Sequence, residues 1–186
     1  MRRLALVLLL LLFSFRTPSY AGKSVEHWMT ELTSTNEAVR TNAVVAIRAL
    51  GTDAIPAILK RADVRPSLWR TKIMRWLARL GISPTPRTAP STLYSEAREA
   101  LWALGTNATG AIPGLTALLS NPSVANRACG LLRELNNEVI PALVIATTNA
   151  DSKVRQDAML DLGRRRINTP ETVGALLQGL TADLNP

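Results

Sequence analysis

The feature that most narrows the fold of this chain is a helical template that recurs five times. In the first copy Val39, Ala43, Ala46, Ile47 and Leu50 stand at relative positions 0, 4, 7, 8 and 11, one face of a 3.6-residue helix, and Gly51 follows directly. Glycine there is suited to end the helix, because it reaches backbone conformations closed to other residues. The second copy is Trp69, Ile73, Trp76, Leu77 and Leu80 before Gly81, and the third is Leu93, Ala97, Ala100, Leu101 and Leu104 before Gly105. The fourth, Val124, Ala128, Leu131, Leu132 and Leu135, ends at Asn136, the other residue that tolerates a left-handed helix cap. In the fifth, Val154, Ala158 and Leu162 keep the pattern while Asp161 and Arg165 replace apolar residues. A polar outer copy is what the last unit of a stack needs, since no neighbour covers it.

Successive copies start 30, 24, 31 and 30 residues apart, and Asn36, Pro66, Pro90, Asn121 and Asp151 each stand three residues before a start. Asn and Asp accept hydrogen bonds from the free N–H groups of a first helical turn, and proline lacks the donor that position leaves unpaired. Between the copies run Ile55-Pro56-Ala57-Ile58, Ile112-Pro113-Gly114-Leu115 and Ile140-Pro141-Ala142-Leu143, with Thr169-Pro170 and Val173 as a weaker relative. Proline stands where a return helix would begin, so each unit reads as helix, tight turn, helix. The expectation is an all-α chain built as an α-solenoid of about four to five stacked units.

These motifs resemble the HEAT repeats, in particular the short bacterial type also called PBS-lyase HEAT-like repeats. The resemblance rests on Val39-Arg40, Ala43, Ala46-Ile47, Leu50-Gly51 and Ile55-Pro56, and again on Val154-Arg155, Ala158 and Leu162-Gly163. It spans about residues 36 to 180 and implies an armadillo-like scaffold. The second unit departs from the pattern: Pro84, Pro86 and Pro90 fall where its return helix belongs, so 82–92 is expected to be an irregular loop.

Ahead of the repeats, Arg2 and Arg3 precede an apolar run from Leu4 to Phe13, with small residues at Ser19 and Ala21. This pattern reads as a signal peptide over 1–21, cleaved before Gly22, and so as export to the periplasm or the extracellular space. With about a dozen apolar residues before Arg16, the run is short for a membrane anchor, and beyond it no apolar stretch approaches the roughly 20 residues of a membrane-spanning helix. Cleavage removes three of the 22 cations and none of the 14 acids, lowering the formal charge from +8 to +5. Residues 22–35, where Ser24 precedes Val25, Trp28, Met29 and Leu32, read as a capping helix ahead of a repeat domain over 36–186.

The inventory for catalysis is thin. With one histidine, His27, and one cysteine, Cys129, the sequence assembles no nucleophile–base pair or zinc set, and no cofactor or metal is expected. His27 reads as an exposed or partly packed imidazole and Cys129 as a small buried thiol; the pairs Glu96 with Glu99 and Asp157 with Asp161 read as solvated faces. Two features remain as candidate binding elements. Lys72, Arg75 and Arg79 lie three and four residues apart on one helix face within a stretch that also holds Lys60, Arg61, Arg65 and Arg70. Trp102 falls outside the apolar template, which leaves it either to stack on a ligand or to fill a gap between repeats. Trp69 and Trp76, by contrast, occupy template positions and are expected to pack between helices. Arg40, Arg70 and Arg155 recur directly after template position 0, which suggests a repeated contact to a neighbouring turn or carboxylate.

The function expected from these residues is a non-enzymatic scaffold that binds another protein through its stacked helices, with an anionic surface or polyanion as a further partner. The resemblance also raises a bilin-lyase-like enzyme, against which the sparse acid–base inventory stands. The basic stretch raises a nucleic-acid-binding solenoid, against which export stands.

Overall fold

The structure is a computed structural model that describes residues 18–65, 73, 76, 77, 79, 80, 89–166 and 169–184, with the side chains of 180–184 excepted. Most of the leader read over 1–21, Trp69 and Arg70 of the second template copy, and Pro84 and Pro86 lie outside the described residues.

The described chain is mostly helical. A two-stranded hairpin comes first, β1 (Ser19–Tyr20) against β2 (Lys23–Ser24), antiparallel with Tyr20 opposite Lys23. Helix α1 (Val25–Glu31) follows, and Ser24 caps it by accepting from the His27 N–H, as the sequence suggests. The other helices are α2 (Glu37–Leu50), α3 (Ile55–Ala62), α4 (Pro90–Leu104), α5 (Ile112–Leu118), α6 (Ala125–Arg133), α7 (Ile140–Ala146), α8 (Ser152–Arg165) and α9 (Pro170–Leu184). Helix α4 starts at Pro90, so the last residues of the expected 82–92 loop are its first turn.

Local chemistry sets these bounds. Asn36 accepts from the N–H groups of Ala38 and Val39 to start α2, and Asp151 accepts from Lys153 to start α8. Pro56, Pro113 and Pro141 each sit in the first turn of a return helix, where a missing donor costs nothing. Gly51 and Gly105 end α2 and α4 at φ 56° and 59°, conformations that strain any residue with a Cβ. That break divides the stretch Glu37–Ala62, whose length and hydropathy match a membrane span, into two separate helices. Three other ends differ from expectation. Asn121 does not cap α6, which begins only at Ala125 with no side-chain cap; its Oδ1 accepts from the Ser123 N–H in the turn before the helix. Asn136 is extended rather than left-handed and instead starts a short 3-10 turn by accepting from Glu138. Leu162-Gly163 does not stop α8, which runs two residues further and ends at Arg166, the left-handed residue at φ 52°.

Packing follows a repeated order. Helix α4 lies on α2 and α3, α6 lies on α4 and α5, and α8 lies on α6 and α7. The core is continuous through all of them: Ala43, Ala46 and Ile47 from α2, Ala97, Ala100, Leu101 and Leu104 from α4, and Ala128, Leu131 and Leu132 from α6 are buried. Template positions thus mark the core face in the first, third and fourth copies. Many of these are alanines, whose short side chains let neighbouring helices approach closely.

The second copy does not follow. Helix α2 packs directly on α4 with no other described helix between them. Ile73, Trp76 and Leu80, expected in the core, are 54%, 61% and 57% exposed. The spacing of 24 residues to the third copy, against 30 or 31 elsewhere, and the prolines where a return helix belongs already set this unit apart.

Candidate binding surface around Trp102

Trp102 stands on α4 and is 69% exposed. Its neighbours Leu101, Ala103 and Leu104 are buried, so the helix under it is packed on the core. Arg48 of α2 donates from Nε to the Ala103 carbonyl at 3.0 Å, joining α2 to α4 immediately beside the indole. The indole divides two surface troughs. One, of about 320 Å³, runs along α2 past Glu37, Arg40, Thr41, Val44 and Arg48, with Glu99 on the other wall. The second, of about 340 Å³, lies between Thr106 and Thr109 after α4 and Glu134, Leu135 and Asn136 after α6. Each presents apolar floor, hydroxyls and carboxylates, and the first adds two guanidinium groups.

The charges around Trp102 are largely held. Arg40 donates from Nη1 to the carbonyls of Ser34 at 2.8 Å and Thr35 at 3.3 Å, and Arg155 does the same to Asn149 at 2.9 Å and Ala150 at 3.1 Å. The recurrent arginine after template position 0 is therefore a lock on the turn six and five residues earlier; Arg70 lies outside the described residues. Arg98 pairs with Glu99 at 2.9 Å. Fixed side chains lose little freedom when a partner arrives, which is what a binding surface needs.

Of the basic candidates, Arg79 is helical and exposed and lines neither trough, while Lys72 and Arg75 lie outside the described residues. Arg61, part of the same stretch in sequence, is not a free cation. It forms an ion pair with Glu96 of α4 and donates from Nη2 to the Glu26 carbonyl of α1 at 3.2 Å. Burial lowers its pKa from the ordinary arginine value.

Glu96 is 1% exposed, against the expectation of a solvated face. The same correction applies to Asp161, at 8% exposed. Its Oδ2 accepts from Arg165 Nε at 2.8 Å, and Arg165 also donates from Nη2 to the carbonyls of Arg133 at 3.0 Å and Leu135 at 2.9 Å and from Nη1 to Asn137 Oδ1 at 3.3 Å. Arg133 adds ion pairs to Asp157 and Asp161 at 3.6 and 4.0 Å. The two polar residues of the fifth copy therefore face inward and staple α8 to the end of α6; they do not form a polar outer cap. Sequence spacing placed both on the template face, and that spacing was the available signal.

The remaining chemistry-bearing residues are structural in their surroundings. Cys129 is fully buried, and burial pushes its thiol up to about 11, far from a thiolate at neutral pH. His27 is exposed on α1, with Nε2 2.7 Å from Glu31 Oε1 and its ring edge-on to Trp28. Among the described residues no group of three or more His, Cys, Asp or Glu is placed to hold a metal ion. No protein-family model matches the chain, and no curated protein matches it.

Proposed function

We propose that the chain is a non-catalytic, exported α-solenoid of HEAT-like repeats that binds a partner protein through the surface around Trp102. The observation that carries this reading is the indole itself, more than two thirds exposed on a helix held rigid beneath it, between two troughs. Leaving a large aromatic side chain in water forgoes about 1.5–3 kcal/mol of burial, and aromatic and arginine anchors dominate protein–protein contacts. The mixture of Glu37 and Glu99 with Arg40 and Arg48 suits a polypeptide, which offers donors and acceptors together, better than a polyanion. The order in which α2, α4, α6 and α8 follow one another, each with its return helix, supports the solenoid reading. The basic leader start and its apolar run support export.

The experiment is site-specific photo-crosslinking in the native cell, with the reactive residue placed at Thr41 or Thr106 of the full chain. The expected result is one dominant protein adduct at both positions, lost on Trp102→Ala while the circular-dichroism spectrum stays that of the parent. An adduct with nucleic acid, or one that survives Trp102→Ala unchanged, overturns the reading. Fractionation and N-terminal sequencing of the same material test export: an intact chain in the cytosol overturns it.

A further inference from the structure

Helix α8 has two faces. Val154, Ala158, Asp161, Leu162 and Arg165 turn inward onto α6 and α7. On the opposite side Gln156, Met159, Leu160, Gly163 and Arg164, with Arg166 and with Leu176 of α9, line a trough of about 960 Å³. Leu160 is 57% exposed. Arg164 and Arg166 are exposed, and their guanidinium groups make no hydrogen bond or ion pair among the described residues, whereas Arg165 between them is fully engaged in the staple to α6. Asp161 and Arg165 are turned inward, and among the described residues the trough on the other side is mostly apolar, with Arg164 and Arg166 as two cations without a partner at its rim.

Within the chain, the equivalent place on each earlier helix pair is filled by a helix: α4 on α2 and α3, α6 on α4 and α5, α8 on α6 and α7. We infer that the trough on α8 and α9 is the docking site for an acidic amphipathic helix of a partner protein, seated there as α8 is seated on α6 and α7. The apolar face of such a helix covers Met159, Leu160 and Leu176 in the helix-in-groove mode. Its carboxylates meet Arg164 and Arg166, whose planar forks bind carboxylate in pairs of parallel hydrogen bonds. The same two arginines disfavour the chain's own basic stretch as the occupant, since Lys72, Arg75 and Arg79 would bring like charge to the rim. This site is distinct from the Trp102 surface and stands or falls without it.

The test uses the full chain and a fluorescein-labelled synthetic peptide of about 15 residues, with leucine at the template positions 0, 4, 7, 8 and 11 and glutamate on the remaining faces. A scrambled peptide of the same composition and a lysine-for-glutamate peptide are the controls, and fluorescence anisotropy is the readout. The expected result is saturable binding of the acidic peptide alone, weakened about tenfold or more by Leu160→Glu and by the pair Arg164→Glu with Arg166→Glu. All three positions are exposed, so both variants keep the parent spectrum and a cooperative melt. Equal binding of the scrambled or the lysine peptide overturns the inference, as does unchanged binding by either variant. A concentration-dependent dimer of the chain that Leu160→Glu abolishes also overturns it, by assigning the trough to a second molecule.

Discussion

Replacing Arg165 by alanine tests the joint between α6 and α8. The side chain is 13% exposed and donates four hydrogen bonds, one to Asp161, one to Asn137 and two to backbone carbonyls at the end of α6. Its removal leaves the carbonyls of Arg133 and Leu135 without this donor and Asp161, at 11% side-chain exposure, with only the longer contact to Arg133. Breaking a buried pair by deleting one partner costs about 3–5 kcal/mol. Because both side chains keep some contact with water, the lower end applies, about 3 kcal/mol. For a domain of this size that is a fall of roughly 6–12 °C in melting temperature. The double variant Asp161→Leu with Arg165→Leu restores the apolar template of the other copies, removes both charges together and is expected to melt within a few degrees of the parent. Thermal melts followed by circular dichroism, with urea melts for the free energy, measure both. A loss below about 1 kcal/mol for Arg165→Ala would place the pair in the class of surface ion pairs and refute the staple.

Four further outcomes follow from the structure. Leu101→Asp and Leu132→Asp, at 2% and 0% exposure, each bury an unpaired charge and are expected to abolish cooperative melting, whereas unchanged melts would refute the template register. Gly51→Ala and Gly105→Ala, at positive φ, are expected to cost about 1–3 kcal/mol each, while Gly163→Ala, inside α8 with open space around it, stabilises by up to about 1 kcal/mol; urea midpoints check the contrast. Native Cys129 is expected to resist alkylation at pH 8 and to react readily in urea. Because its folded pKa of about 11 lies above the unfolded value of 9.0, its contribution to stability is complete below pH 9 and is lost as pH rises towards 11, a loss that Cys129→Ala removes from the pH dependence of the urea midpoint. A chain beginning at Gly22 is expected to melt below one beginning at Pro18, because it loses the edge contact of Tyr20 with Trp28 and the 3.1 Å bond from Trp28 Nε1 to the Tyr20 carbonyl; equal melting temperatures would refute that contribution.

Helix starts and core faces were legible because they depend on residues close in sequence. Asn36, Asp151, Pro56, Pro113 and Pro141 act within one turn of themselves, and a 3.6-residue period fixes which side of a helix is apolar. The lock that Arg40 and Arg155 place on a preceding turn was legible for the same reason. Trp102 was recognisable as an outlier from the template, and the structure exposes it. The two troughs beside it were not legible, since their walls come from α2, α4 and the segment after α6, brought together only by packing.

The amino-acid sequence by itself determined a helical chain, the starts of α2, α4 and α8, the ends of α2 and α4, and the inward face of the first, third and fourth template copies, because periodicity and capping are local. The tertiary structure alone decided that α2 packs directly on α4, that Glu96, Asp161 and Arg165 are drawn inward to partners on other helices, and that Met159, Leu160 and Leu176 meet in one trough on α8 and α9. A repeat tells which side of a helix avoids water; which helix covers that side depends on contacts between residues distant in the chain, and those exist only once the helices have packed.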